Sequence, residues 1–271
     1  MHRPAITLLP LLGSGLLGAV PAVPPAQQIV ERSVEKINAD WSAAPRYDFR
    51  ERDILTKKGK RSSKTYAVLM IEGSPYNKLI ASDGRPLTPA KTAAEEKKLK
   101  QEMERRRAET PGARQKRVAQ YQRERRQDNA LFREMARAFN FKLTGEETVN
   151  GHRCFVVAAT PRAGYIPPTR ETKVLTGMRG TMWIDEQQYQ WVKVHAEVFR
   201  PVAFGLFIAH VEPGTSFTLE QQPVQGDLWL PSHFQMSVNA QILVLSRQYT
   251  DDESYTDYSL AGRAEAEARS R

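Results

Sequence analysis

With a single cysteine, Cys154, in 271 residues, this chain can form no intrachain disulfide, and no Cys-x-x-Cys motif can hold a metal or run redox chemistry. Cys154 is also too far from the N-terminus to carry a lipid anchor there. It lies in the apolar stretch 154–159 and reads as a buried, unreactive thiol. Histidine is equally sparse: His152, His195, His210 and His233 stand one to a segment, without the His-x-x-x-His spacing or the convergent ligands that zinc requires. There is no Gly-x-Ser-x-Gly elbow, no phosphate-binding loop and no Asp-rich calcium loop. Asp251-Asp252-Glu253 reads as a solvated turn, and Asp185 as a turn-shaping residue rather than a base. These absences describe a protein that is not an enzyme and holds neither cofactor nor metal. After residue 20 no apolar run approaches the roughly 20 residues of a membrane-spanning helix.

The one long apolar run, Ala5–Val20, follows His2 and Arg3 and ends in Ala19, Pro21 and Ala22. That is the layout of a secretory signal, with a cut after Ala22. Gly13-Ser-Gly15-Leu-Leu-Gly18 matches a dinucleotide-binding pattern letter for letter. It sits inside the signal, however, with no strand before it and no βαβ unit around it, and is rejected. The expected mature protein is a single domain over 23–271, located in the periplasm.

Most of that domain alternates with period two, as strands do when one face is apolar. In Gly180–Arg200, Met182 and Ile184 share one face of a strand. Val192, Val194, Ala196 and Val198 share a face of the next, with Tyr189, Trp191, Lys193, His195 and Glu197 opposite. Other strands are expected at Tyr47–Leu55, Thr65–Glu72, Asn77–Ser82 (behind a Ser74-Pro75 turn), Phe141–Thr148, Arg153–Thr160, Leu206–Val211, Ser216–Gln221, Leu228–Leu230 and His233–Tyr249, with a further one at Tyr255–Tyr258. Lys57-Lys58-Gly59-Lys60 and Asn150-Gly151 are hairpin signals. Ile29, Val30, Val34 and Ile37 at helical spacing predict a helix over Gln27–Trp41. Arg263–Arg271 reads as a charged, flexible tail.

Residues 88–140 break the rhythm. Thr88-Pro89 is a helix start, with a hydroxyl cap and proline at the first position. Thr110-Pro111-Gly112 interrupts the helix, and a second runs on towards Phe139, with Phe132, Met135 and Phe139 lining one face. The segment carries 15 Lys/Arg against 8 Asp/Glu, so it accounts for +7 of the chain's net +9. It therefore reads as a basic helical insertion in a nearly neutral body. Arg105, Arg106, Arg107, Arg123, Arg125 and Arg126 are the candidates for contact with an anionic membrane surface or an envelope partner. Export argues against nucleic acid.

After Phe141 no helix-length segment separates consecutive strands, so the sheet is antiparallel. About ten strands imply curling into a barrel or half-barrel, with the helical regions as lids. The expected class is mainly β (α+β). The hairpin at Gly180-Thr-Met-Trp183-Ile-Asp185, the later Gly226-Asp-Leu-Trp229-Leu-Pro231, the export signal and the N-terminal helix together resemble the outer-membrane lipoprotein-sorting family, with its LolA/LolB-like fold, over Gln27–Tyr258. The resemblance implies an incomplete barrel whose apolar concave face carries the acyl chains of a lipid or lipoprotein. The expected lining is Val192, Val194, Val198, Phe234, Met236, Val238 and Ile242. A sealed core at the same positions is the competing reading.

Overall fold

The computed structural model describes residues 23–204, 209–242 and 245–262. The expected signal (1–22) and tail (263–271), and parts of the strands expected at Leu206–Val211 and His233–Tyr249, lie outside the described residues. Helix α1 (Ala26–Ala43) buries Ile29, Val30 and Ile37 along one face. It leads into β1 (Tyr47–Lys57), β2 (Lys60–Ile71), β3 (Ser74–Ser82) and the short β4 (Arg85–Pro86). The β1–β2 hairpin closes on Lys58 and Gly59, both with positive φ, as a two-residue turn demands. The next hairpin does not turn at Ser74-Pro75. Glu72 and Gly73 take the positive φ values, and Ser74 and Pro75 already pair with Ile71 and Met70.

Helices α2 (Pro89–Arg107) and α3 (Pro111–Ala138) follow, each opened by a threonine whose Oγ1 accepts a backbone N–H three residues on: Thr88 from Lys91 and Thr110 from Ala113. The chain then returns to strands: β5 (Phe139–Val149), β6 (His152–Pro161), β7 (Met178–Asp185), β8 (Trp191–Val198), β9 (Val202–Phe204), β10 (Ala209–Val211), β11 (Ser216–Gln225), β12 (Leu228–Ile242) and β13 (Leu245–Leu260).

All pairings are antiparallel, in the order β4-β3-β2-β1-β13-β12-β11-β8-β7-β6-β5, with β9 and β10 attached to the side through β12. Among the described residues the two ends of this order do not pair, so the sheet is a curled half-barrel rather than a closed one. The segment 88–140 links the edge strand β4 to the opposite edge strand β5. This long charged helical insertion is thus also the connector between the two edges.

Two sequence expectations are corrected here. The strand expected over His233–Tyr249 is two: β12 begins earlier, at Leu228, and pairs back into β13 with Ile242 opposite Leu245. Asp251-Asp252-Glu253 and Tyr255–Tyr258 are therefore interior to one 16-residue strand, not a turn and a separate strand. Two long β segments joined by a very short connection look like one when the alternation continues through the join. The second correction concerns Trp191. A bulge places it opposite Ile184 while Lys193 stays opposite Trp183, so Val192 is the extra residue. Trp191 thereby turns inward, and its Nε1 donates to Ser33 Oγ of α1 at 2.9 Å.

The main core lies between α1, the end of α3 and strands β5 to β8. Ile29, Val30, Met135, Val157, Met182, Ile184, Trp191 and Val194 are its centre. Phe132 of α3 sits edge-on to both Trp191 and Trp41, with centroids 5.5 and 6.0 Å apart. Gly180, which opens the Trp183 hairpin motif, has a packing reason: a Cβ there would stand 2.6 Å from the backbone oxygen of His195.

Candidate functional site

The helices seal one half of the sheet and leave the other half open. Over β5 to β8 the contact is complete. Val194 and Val198 are 2% exposed within the main core, and Val192 is fully buried against Cys154 and Trp229 in a separate cluster. These three expected lining residues are buried, Val194 and Val198 in the core that α1 and the end of α3 share with the sheet and Val192 in the cluster around Trp229. Burial pushes the Cys154 thiol up to about 11, with Asp185 adding to the effect, which fits an unreactive group. Asp185 Oδ1 accepts the backbone N–H of Gln187 and Gln188 at 2.9 and 2.6 Å and so shapes its turn.

Over β1, β2 and β11 to β13 the helices stand off. The space left is a cleft of about 700 Å³. Its floor includes Phe49, Val68, Met70, Phe217, Leu219, Phe234, Tyr255 and Tyr258, and its roof includes Ile37, Trp41, Tyr121, Arg125 and Phe132. Of the seven expected lining residues, Phe234 is in this cleft. Val238 borders a different, more polar hollow beside Lys57–Gly59 and Asn239. Met236 is partly buried on β12 and lines neither space, and Ile242 lies at the far end of the same strand. The open portion of the sheet lies nearer the N-terminal strands than those positions.

The cleft also carries polar groups that the sequence reading missed. Asp53 pairs with Glu253, Glu51 with Tyr255 and Leu55 with Asp251 across β1 and β13, so four carboxylates share one face. Glu51 and Glu253 line the cleft itself. Burial, and then the neighbouring Glu253, Asp53 and Asp251, push Glu51 up to about 7. Burial and Asp53 push Asp251 up to about 6. The Tyr255 hydroxyl donates to Glu253, and that of Tyr258 donates to Pro231 O at 2.8 Å. Burial raises both phenols above their ordinary range. The missed signal was the pairing: charges that look like a turn in sequence become a cluster only when β13 is set beside β1.

The six arginines divide. Arg106 is 5% exposed and fully engaged inside the protein. Nη1 donates to Ile71 O, Ser74 O and Ser74 Oγ, Nη2 to Pro75 O, and Nε to Glu102. It pins α2 to β3 and is withdrawn from any outside contact. Arg125 stacks over Trp41, 4.7 Å from the ring centroid, and donates to the Trp41 carbonyl. Arg105 is paired with Glu102 and Glu109 at the surface. Arg107, Arg123 and Arg126 are exposed.

Among the described residues no three His, Cys, Asp or Glu side chains are grouped to hold a metal ion, and no helix is long and apolar enough to cross a membrane.

No protein-family model matches the chain, and no curated protein matches it by sequence. Solved structures do match over most of its length. One is a DUF1329 family protein from Desulfovibrio piger, 9% identical, covering 89% of this chain and 95% of that one, with a TM-score of 0.35. Another is a LolA superfamily protein from Nitrosomonas europaea, 11% identical over 88% and 94%, with a TM-score of 0.33. A third is described as an outer membrane lipoprotein-sorting protein domain, from Vibrio parahaemolyticus, 10% identical over 86% and 94%, with a TM-score of 0.33. The chain is similar to these structures over most of its length. Superpositions this loose carry over neither residues nor activity.

Proposed function

We propose that this protein is an exported periplasmic carrier that holds the acyl chain of a lipid or lipoprotein between its sheet and its helical lid. The observation that carries the reading is the cleft: about 700 Å³ of space, floored by Val68, Met70, Phe217 and Phe234 and roofed by Phe132 and Trp41. It falls within the roughly 300–1,000 Å³ of small-molecule sites. Each methylene buried there contributes about 0.8 kcal/mol, so an acyl chain gains affinity from length alone. The site offers no need for catalysis, and the role is binding and release. Native mass spectrometry of the protein purified from its own envelope should show a co-purified lipid or acyl peptide, and Phe234→Asp should lose it while remaining folded. Consistently empty wild-type protein would overturn the carrier reading. Val194→Asp is the contrasting variant. It places a charge in sealed core and should unfold the domain.

A second role fits the exposed arginines of the lid. Arg107, Arg123 and Arg126 are exposed on the helical arm and are suited to an anionic membrane or an acidic envelope partner.

A further inference from the structure

The polar groups of the cleft are unbalanced in a way that acyl-chain burial alone does not require. Its lining supplies three carboxyls, Asp40, Glu51 and Glu253, against one cation, Arg125, whose guanidinium is already spent on the Trp41 ring and carbonyl. Asp40 and Gln221 are 5% and 4% exposed, and Asp40 Oδ2 and Gln221 Oε1 have no hydrogen-bond partner. Both atoms, on α1 and β11, are closed to solvent, so they add to the negative lining without offering an open acceptor to a guest. Glu51 and Glu253 stand on adjacent strands beside Asp53 and Asp251, so mutual repulsion adds to the demand for positive charge. Among the described residues no three His, Cys, Asp or Glu side chains are grouped to hold a metal ion there.

We propose that the cleft takes an amphiphile with an ammonium head group, its chain on the Met70–Phe217–Phe234 floor and its head against Glu51 and Glu253. The proposal rests on the carrier reading and adds the head-group class to it. Bulk charge works against it. The chain is +9 overall, so a preference for cations can arise only from local geometry.

The test is titration calorimetry on the full mature chain with dodecylammonium and dodecyl sulfate, both below their micelle concentrations. The cation should bind at least about tenfold more tightly at about pH 8 and low salt, a modest return for two nearby carboxylates. In Glu51→Gln/Glu253→Gln the preference should vanish while the dependence on chain length persists. Because this variant removes like-charge repulsion, it should fold at least as well, as its thermal melt will show. Equal or tighter binding of the sulfate, or a cation preference that survives in the variant, overturns the head-group assignment and leaves the carrier reading standing. Failure of both probes to bind overturns both. Displacement by lysophosphatidylethanolamine or by an acylated lysine peptide then assigns the amine to a lipid or to a peptide source.

Discussion

Glu51 shows how much one position depends on its cross-strand neighbours. Its carboxyl is partly withdrawn from water, with Glu253, Asp53 and Asp251 beside it, and these together push it up to about 7 from an ordinary 4.5. The folded protein therefore holds the Glu51 proton more tightly than the unfolded chain does. Between about pH 4.5 and 7 the native state carries the excess protons, so stability declines as pH rises through that window. Asp40, pushed up to about 6 chiefly by burial, and Asp251, also at about 6, act in the same direction at slightly lower pH. Thermal unfolding should therefore show the protein more stable near pH 5 than near pH 8, with Glu51→Gln flattening the slope and raising the melting temperature at the higher pH by about 3 °C. A pH-independent melt would mean that these carboxylates are solvated. The sequence could not show this behaviour. Asp251-Asp252-Glu253 looks like a solvated turn until β13 is paired with β1. The outward reading of Trp191 failed for a related reason: one bulged residue, Val192, changes which face the side chain takes, and nothing in the local composition announces the bulge.

At the scale of elements, the strands and helices were legible because period-two alternation and the two Thr-Pro starts are local signals. α1, the β1–β2 hairpin and the Gly180–Arg200 hairpin were all recognisable from such patterns. What could not be read was how the elements meet. Helix α2, apparently all charge, docks through Leu99, Met103 and a buried arginine. Arg106 satisfies the carbonyls of Ile71, Ser74 and Pro75, while Arg117 of α3 donates to Glu72 O, Ser74 Oγ and the Glu109 carboxylate. Together they fasten the helical hairpin to the β2–β3 turn. Arg106→Ala strips those carbonyls of their donor and should cost about 3 kcal/mol. Limited proteolysis should then cut within 88–140 well before the sheet is attacked. Arg107→Ala, on the exposed side, should leave the cleavage pattern of the native protein. Equal protection in both variants would show that the apolar contacts alone hold α2 in place.

For the molecule as a whole, the helical arm belongs to the cleft, because it joins the two edges of the sheet and supplies the roof. Its outer side presents Arg107, Arg123 and Arg126, while its inner side presents Phe132 and Tyr121 to the cleft. If the outer side docks on a charged bilayer, binding to vesicles containing anionic lipid should be measurable at low salt. It should weaken steeply as salt rises and fall further in Arg123→Glu/Arg126→Glu. Absence of binding at low salt would leave the arm as a lid alone. The seal over β5 to β8 and the stand-off over β1, β2 and β13 could not have been foreseen from the strands themselves, since both halves show the same apolar alternation. The placement of α1 and α3 decides which half is core and which is cleft.

The pairing of β1 with β13 has one more consequence. Two adjoining strips of the cleft floor, Phe49 and Glu51 on β1 and Glu253 and Tyr255 on β13, come from segments some 200 residues apart in the chain. During synthesis β1 emerges early and has no permanent neighbour on that side until β13 arrives. Contacts of such long sequence separation form late and slowly. The cleft is therefore among the last features of the protein to come into being, complete only once β1 and β13 have met.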